Sequence, residues 1–319
     1  MSIQSPDQSA LHKARELQRA KLVEYKDRFF DGSDDSSSLF ENASCPTCAR
    51  EADNIIFEKQ RGKYSYCPVC DHIFLSNPLT DEATISFYTN YPSNTLEWHK
   101  AETDFYDLIY AKGLEMIQQF NPGSSLLDIG CSSGLFLSNA SKQGFSCIGL
   151  EPNNLEKSYA LSQGINVCGS ELTDLDQVQK FDVITLWDVL EHIKNPRLYL
   201  PQLHNHLLSK ESLVFIQVPS ADSLSARILR DKCKMFDGIE HLTLFSLKSL
   251  KSTFEQAGFT MLSAISVIPD LYPITNYLSY CSDPYLQQPS HKYPIENLGF
   301  SDIEQNMLGY KIQAVFKPA

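Results

Sequence analysis

Residues 125–137 read SLLDIGCSSGLFL, and this stretch decides the fold. The apolar residues before Gly130 predict a short buried strand, and the apolar run after Gly134 predicts a helix. The two glycines allow a sharp turn and the close approach of a ligand, because glycine has no Cβ. The helix that follows directs unpaired N–H groups at the turn, which favours a carboxylate or another anion there.

A second apolar strand, residues 145–150, ends at Glu151. A carboxylate about twenty residues after the glycine turn is placed to accept hydrogen bonds from ribose hydroxyls. The pattern therefore predicts a nucleoside-containing ligand on a doubly wound sheet. A dinucleotide fingerprint, G-x-G-x-x-G, fits poorly, because Ser132 and Leu135 stand at its second and third glycine positions.

From residue 125 onward strands alternate with helices, a rhythm typical of a parallel sheet. We place strands at residues 125–129, 145–150, 165–168, 181–187, 213–218, 259–268 and 307–316. The last of these alternates like a half-exposed edge strand. Residues 269–305 form a long insertion of the kind that often shapes a substrate pocket.

Two Cys-Pro-x-Cys turns precede this region, and their cysteines are Cys45, Cys48, Cys67 and Cys70. The spacing C-x₂-C-x₁₈-C-x₂-C lies within the range of four-thiolate zinc sites. Four cysteines fill the tetrahedral positions of zinc, so the metal is expected to be structural. A redox pair or free thiols are the alternative reading.

These patterns divide the chain into four segments. Residues 1–38 are expected to be a mobile arm with a candidate helix near residues 10–30. Residues 39–80 form the zinc-binding module, residues 81–124 a helical connector, and residues 125–319 the main domain. The aromatic residues of the connector either pack the module onto the main domain or, at Tyr88–Tyr91, cover the ligand pocket as a lid.

Composition excludes several classes of partner. The chain has 319 residues, of which 42% are hydrophobic and 21% charged, so it is long enough to bury a large core. The net charge of −12 argues against long phosphate backbones, and hence against nucleic acid. There is no apolar run of the ~20 residues that span a membrane, and no secretory signal pattern. We expect a cytoplasmic protein, and its oligomeric state stays open.

Three stretches carry a resemblance to a known enzyme family. The D-x-G-x-x-x-G run that begins at Asp128 resembles the first motif of class I S-adenosylmethionine (SAM)-dependent methyltransferases, with Ser132 where that family usually has glycine. Residues 181–193, FDVITLWDVLEHI, resemble the fourth motif of a small-molecule subgroup that ends in Leu-Glu-His. The cysteine module and the FLSNP run at residues 74–78 are similar to zinc-containing methyltransferases, among them sugar C-methyltransferases.

The resemblance implies an α/β fold with a seven-stranded Rossmann-like sheet, SAM as cofactor, a structural Zn²⁺ and a small-molecule acceptor. It implies cofactor contacts at Asp128, Gly130, Cys131, Gly134, Glu151, Pro152, Leu172, Asp188 and Val189.

On the acceptor side, the resemblance implies that His192 or His241 removes a proton, with Glu191 and Glu240 orienting the base. We expect Glu191 and His192 to open a helix, and His241 to stand just before the helix that Ser246 caps.

We therefore expect methyl transfer to a small molecule, with a sugar or natural-product intermediate as candidate acceptor. Two alternatives remain open at this point. One is an O-methyltransferase of quinone or phenol type, and the other is a cofactor-binding scaffold whose zinc ribbon docks a partner.

Overall fold

The computed structural model describes residues 21–31, 36–89, 96, 99–100, 102–176, 178–207, 209–279, 281, 283–285 and 298–319. The first twenty residues of the expected arm, Tyr91 of the expected lid and much of the insertion lie outside these residues.

Eleven strands are present in the described part of the chain. They are β1 (Ile55–Lys59), β2 (Gly62–Cys67), β3 (His72–Leu75), β4 (Ser125–Ile129), β5 (Ser146–Leu150), β6 (Val167–Gly169), β7 (Val183–Trp187), β8 (Leu213–Pro219), β9 (Thr243–Phe245), β10 (Phe259–Val267) and β11 (Lys311–Pro318).

Helices connect most of these strands. They are α1 (residues 21–31), α2 (Asp81–Thr89), α3 (Thr103–Gln118), α4 (Leu135–Lys142), α5 (Asn154–Ser162), α6 (Pro196–Tyr199), α7 (Leu224–Leu229), α8 (Leu247–Gln256), α9 (Leu271–Leu278) and α10 (Phe300–Gln305). Short 3₁₀ turns lie at Ser36–Leu39, Leu172–Asp174, Leu190–His192, Leu200–His206 and Arg230–Lys232.

Seven strands form one sheet in the order β10-β11-β8-β7-β4-β5-β6. Strands β8, β7, β4, β5 and β6 pair in parallel, and β11 is antiparallel to both of its neighbours. Apolar clusters cover both faces of the sheet, and β7 and β8 are therefore buried along their whole length. The α/β class and the seven-stranded Rossmann-like sheet predicted from the sequence are confirmed.

The position predicted for the last strand is wrong. Strand β11 lies inside the sheet, between β8 and β10, and its central residues are buried. A polar residue such as Gln313 is expected on the exposed face of an edge strand, but the Gln313 side chain is fully buried. The Gln313 Nε2 atom donates to the Gln217 side chain at 2.9 Å and to the Ile109 carbonyl at 3.2 Å, which supplies its amide N–H groups with acceptors inside the core.

A second sheet joins the cysteine module to the main domain. Its order is β1-β2-β3-β9, and β9 comes from the chain after β8. The residue pairs of β3 and β9 include His72 with Phe245. Strand β9 therefore stands between His241 and helix α8, whereas the sequence placed His241 directly before that helix. Ser246 caps α8 as predicted, since its hydroxyl accepts from the Ser249 amide at 3.0 Å.

Helix α1 packs against α2. The Phe29 ring meets the Phe87 ring edge-on at 5.2 Å between centroids, and Phe30 stacks on Phe40 at 5.7 Å. Phe30 and Phe87 are buried, as is Lys26 on the same helix. Among the described residues, no helix combines the length and the apolar character needed to cross a membrane.

Candidate functional site

The glycine turn follows β4 at the carboxyl edge of the sheet. Gly130 and Gly134 have φ angles of +73° and +79°, which L side chains rarely adopt. A Cβ on Gly130 would lie 2.6 Å from Val189 Cγ2, and one on Gly134 would lie 2.8 Å from Ile165 Cγ1. Both glycines are therefore required by conformation and by the lack of space.

Glu151 at the end of β5 is tied to this turn. Its Oε2 accepts from the Ser132 amide at 2.7 Å, and its Oε1 accepts from the Asn153 amide at 2.6 Å. Burial raises the pKa of Glu151 to about 7 despite these two bonds. The predicted ribose-binding carboxylate and the glycine turn thus lie together, as the sequence implied.

Asp128 is buried one residue before the end of β4. Its Oδ1 accepts from the Thr185 hydroxyl on β7 at 2.6 Å, and the residue is 1% exposed. Burial raises its pKa to about 8, against the effect of the Thr185 hydrogen bond. Asp128 therefore ties two neighbouring strands together behind the turn.

Asp188 follows β7 with a φ of +55°. Its Oδ2 accepts from Gln217 Nε2 at 3.0 Å and forms an ion pair with Lys311. Neither partner is predicted by the local sequence. No local signal pointed to Lys311, because its place opposite Pro219, at the carboxyl end of β8, follows from the antiparallel pairing of β11 with β8.

Buried polar atoms without a protein partner mark the same edge of the sheet. Among the described residues they include Ser132 Oγ, Asp188 Oδ1 and Trp187 Nε1. Buried polar groups are normally hydrogen-bonded, so such a group of atoms fits a polar ligand. Together with the turn, where Gly130 and Gly134 carry no side chain, they provide a cradle that suits the adenosyl and amino-acid parts of SAM.

The other predicted cofactor residues differ in their surroundings. Cys131 is 4% exposed, and burial raises the pKa of its thiol. Leu172 is packed in an apolar cluster, Val189 faces Gly130, and Pro152 is exposed. Cys131 therefore belongs to the core, while Val189 and Pro152 lie beside the turn and Glu151.

Glu191, His192 and His241, the residues expected to contact the acceptor, come together. One carboxylate oxygen of Glu191 and one ring nitrogen of each histidine all lie within 4.8 Å of one another. Glu191 is fully buried, and neither of its carboxylate oxygens has a hydrogen-bond partner among the described residues. Glu191 and His192 lie in a 3₁₀ turn, so the expectation that they open a helix is wrong.

The two imidazoles have opposite electrostatic surroundings. Desolvation lowers the pKa of His241, but Asp237, whose Oδ2 is 3.0 Å from His241 Nδ1, outweighs it and raises the pKa to about 9. Desolvation and the neighbouring His241 lower the pKa of His192, although His192 is the more exposed of the two residues. The ring centroids are 5.0 Å apart. Burial raises the pKa of Glu191 to about 8.

Backbone carbonyls fix the orientation of both rings. His192 Nδ1 donates to the Glu240 carbonyl at 2.8 Å, and His241 Nδ1 donates to the Met235 carbonyl at 2.6 Å. The Nε2 atom of each ring is thereby left for other partners. Asp237, which the sequence analysis also missed, accepts from the amides of Ile239 and Glu240 and so shapes this loop.

The four cysteines of the N-terminal module also converge. Their sulfur atoms lie within 4.8 Å of one another, and Cys48 Sγ is 3.7 Å from Cys67 Sγ. Tetrahedral zinc–sulfur bonds of about 2.3 Å place sulfur atoms about 3.8 Å apart. The donor set and its spacing therefore fit a four-thiolate metal site.

A family model described as a methyltransferase domain matches residues 98–264. The ubiquinone biosynthesis O-methyltransferase of Glaesserella parasuis serovar 5 (strain SH0165) is 30% identical over 106 residues, which cover 30% of this chain and 44% of that protein. The protein with the same name from Hahella chejuensis (strain KCTC 2396) is 27% identical over 111 residues, 31% of this chain and 47% of that protein. The matches thus span less than half the length of these two curated relatives.

Among solved structures, a SAM dependent methyltransferase from Archaeoglobus fulgidus is similar at 19% identity and a TM-score of 0.44. That similarity covers 66% of this chain and 93% of the other. Because the family model spans more than half of the 319 residues, the chain belongs to the methyltransferase-domain family, a family of enzymes.

Proposed function

We propose that this chain transfers the methyl group of SAM to a small-molecule acceptor. One observation carries the proposal. The carboxyl edge of a single sheet holds the Glu151-bound glycine turn beside Asp188, with the cluster of Glu191, His192 and His241 a few residues further on. Ligands of such open sheets bind beyond the carboxyl ends of the strands, where these groups lie.

The residues around the turn would hold the cofactor. Glu151 would accept hydrogen bonds from the ribose, Gly130 and Gly134 would admit the methionine part, and Asp188 and Leu172 would flank the adenosine. When bound, SAM supplies a methyl group that its sulfonium already makes electrophilic. The chain itself must align the acceptor atom with the S–CH₃ bond and remove the acceptor's proton.

His192 is the base in this proposal. Its lowered pKa keeps the ring neutral near pH 7, and the bond from Nδ1 to the Glu240 carbonyl leaves the Nε2 lone pair ready to take a proton. His241, with its raised pKa, carries a positive charge beside Glu191 and any negative charge that develops on the acceptor. Opposite pKa shifts in one cluster are typical of separate acid and base roles.

The four cysteines would bind a structural zinc ion. Cys45, Cys48, Cys67 and Cys70 fill the four positions of a tetrahedral site and leave none for a substrate. The metal would fix the turn that precedes β1 and the turn between β2 and β3. Because β3 pairs with β9, this ordering extends to the segment that follows His241.

For the acceptor, the cysteine module favours a sugar or natural-product intermediate, as in the zinc-containing methyltransferases that the sequence resembles. A quinone or phenol acceptor is the second candidate, because the matched curated relatives are named ubiquinone biosynthesis O-methyltransferases. The scaffold alternative predicts cofactor binding without turnover.

Calorimetry with SAM and with its demethylated product tests cofactor binding, and turnover on a panel of sugars, phenols and quinols tests the enzyme. We expect the protein to bind both SAM and its demethylated product, and to transfer the methyl group to at least one acceptor class. Absence of binding would contradict the whole proposal. Tight binding with no transfer to any acceptor would favour the scaffold.

A further inference from the structure

Lys26 on α1 is a buried cation that contacts the loop of His241. The residue is 3% exposed, and its Nζ lies 2.9 Å from Glu240 Oε1. The same Nζ lies 3.4 Å from the carbonyl oxygen of Asp237 and 4.0 Å from Asp237 Oδ1. An ammonium group this deeply buried is rare unless it is paired, so these contacts define its place.

The two acidic residues that Lys26 contacts are the ones that hold the two imidazoles. Asp237 faces His241 Nδ1 at 3.0 Å through its Oδ2 atom. Glu240 provides the backbone carbonyl that accepts from His192 Nδ1 at 2.8 Å. Lys26 is therefore one contact away from each histidine.

Helix α1 carries Lys26 to this point through aromatic packing. Phe29 and Tyr25 contact the Phe87 ring, and Phe30 lies under the guanidinium of Arg61 at 4.8 Å. Arg61 also pairs with Asp31 on the same helix at 3.5 Å. These contacts hold α1 independently of Lys26, so replacing Lys26 need not detach the helix.

We propose that Lys26 is a positioning residue for methyl transfer, which fixes the loop of residues 237–241 and balances the charge of Asp237 and Glu240 beside the two imidazoles. This proposal rests on the proposed function. It assigns a role at the acceptor side to a residue outside the matched region of residues 98–264.

Other ionisable groups face the same imidazoles from several elements. Those that act on the imidazoles directly are Glu191 from the 3₁₀ turn and Asp237 and Glu240 from the loop. The others act on these carboxylates: Tyr64 from β2, Lys59 from β1 and Tyr88 from α2 on Asp237, and Asp188 with Lys311 at the sheet edge on Glu191.

Lys26 adds to these groups a positive charge next to the carboxylates of Asp237 and Glu240. Its removal takes away a positive charge that faces Asp237 and Glu240, and the stronger net negative charge there favours the protonated forms of both His192 and His241. The pKa of each imidazole should therefore rise, by about half a pH unit for a charge at this range in a partly screened site.

The experiment is an NMR titration of labelled histidine side chains in the full chain, alongside a pH–rate profile. In Lys26→Met we expect both imidazole pKa values to rise by about 0.5, both limbs of the rate profile to move to higher pH, and SAM affinity to stay unchanged. Lys21→Met on the exposed side of the same helix is the matched control and should move neither pKa. His192→Asn and His241→Asn assign the two signals among the eight histidines.

A second variant separates charge from folding. Glu240→Gln removes a negative charge and should lower both imidazole pKa values, while Lys26→Met with Glu240→Gln should return them close to those of the unmodified protein. Imidazole pKa values that stay fixed in Lys26→Met, with only a lower rate, would overturn the proposal. The titration needs neither SAM nor an acceptor. It therefore tests the effect of Lys26 on the imidazole pKa values even if the protein shows no SAM binding or turnover and the proposed function is contradicted.

Discussion

The Tyr64 hydroxyl on β2 accepts the amide hydrogen of Gly238 at 2.9 Å and lies 3.4 Å from the carbonyl oxygen of His241. Tyr64 is fully buried, and Gly62 on the same strand approaches Gly238 so closely that a Cβ would lie 2.3 Å from the Gly238 carbonyl oxygen. The cysteine module is therefore a direct support of the loop that carries one of the two candidate catalytic histidines.

Tyr64→Phe tests this support. We expect the free energy of unfolding to fall by about 1–2 kcal/mol, because the buried Gly238 amide loses its acceptor. We also expect turnover to fall about tenfold with SAM affinity unchanged, since the loop lies on the acceptor side. Urea unfolding, steady-state kinetics and calorimetry measure the three quantities.

The matched control is Tyr66→Phe on the same strand, whose hydroxyl donates to Asp71 away from the loop at 2.8 Å. It should leave turnover unchanged. Equal losses of turnover in the two variants, or an equal loss of SAM affinity in Tyr64→Phe, would contradict a specific role for Tyr64.

Removal of the metal should also lower turnover, because it loosens the cysteine module that supports the loop of His241. We expect purified protein to hold about one zinc ion per chain, and Cys48→Ser to lose it and the order of the cysteine turns. Turnover should then fall strongly while SAM binding is retained, because the turn at Gly130 and Glu151 belongs to the other sheet. Elemental analysis, kinetics and calorimetry test this.

Cys168→Ser is the control for that variant, since Cys168 is an exposed cysteine on β6. It should keep both zinc and activity. A zinc-free Cys48→Ser protein with full turnover would show that the module does not support the acceptor side.

The sequence predicted the central sheet, and the closeness of the glycine turn to Glu151, because those signals are local. Continuous apolar runs mark buried parallel strands, and a glycine turn followed by Glu151 sits within a short stretch. The position of β11 was not predictable in the same way. Gln313 is a polar residue in an alternating stretch, which is typical of a strand with one exposed face. It is buried because β11 lies beside β8, where its side chain is hydrogen-bonded to Gln217.

The cluster of Glu191, His192 and His241 was predicted only in part for the same reason. His192 and His241 were found from short motifs, but Asp237, Lys311 and Lys26 act through contacts between distant segments. Lys26 lies more than 200 residues before Glu240, its partner at 2.9 Å. Strand β9 has three residues and is fixed by pairing with β3, so its own sequence gave a weak signal.

Glu191 makes a prediction about stability and pH. Its pKa in the folded chain is about 8, well above the value of about 4.5 expected in the unfolded chain. The folded state therefore binds the proton more tightly, and the free energy of unfolding falls as pH rises from about 4.5 to 8, by about 4 kcal/mol from this group. Glu191→Gln lacks this loss, so it should match the unmodified protein near pH 5 and exceed its stability at pH 8.5.

Urea unfolding at the two pH values measures the difference, with Glu211→Gln on the surface as the control. Asp128 and Glu151 also have raised pKa values, but they are present in both proteins and cancel in the comparison. A stability difference between Glu191→Gln and the unmodified protein that is the same at both pH values would contradict the assignment.

Substitutions of His192 and His241 are expected to change the pH–rate profile in different ways. His192→Asn removes the group that takes the acceptor's proton, so kcat should fall about 10²–10³-fold at every pH. His241→Asn removes a cation whose pKa is about 9, so the alkaline limb of the pH–rate profile should disappear while the acid limb remains. Neither variant should change SAM affinity, because the hydrogen bonds of both rings within the described residues go to the loop of residues 235–241 and not to the glycine turn or Glu151. An acid limb that is lost in His241→Asn and kept in His192→Asn would reverse the assignment, and full activity in both would show that alignment of the acceptor alone suffices for transfer.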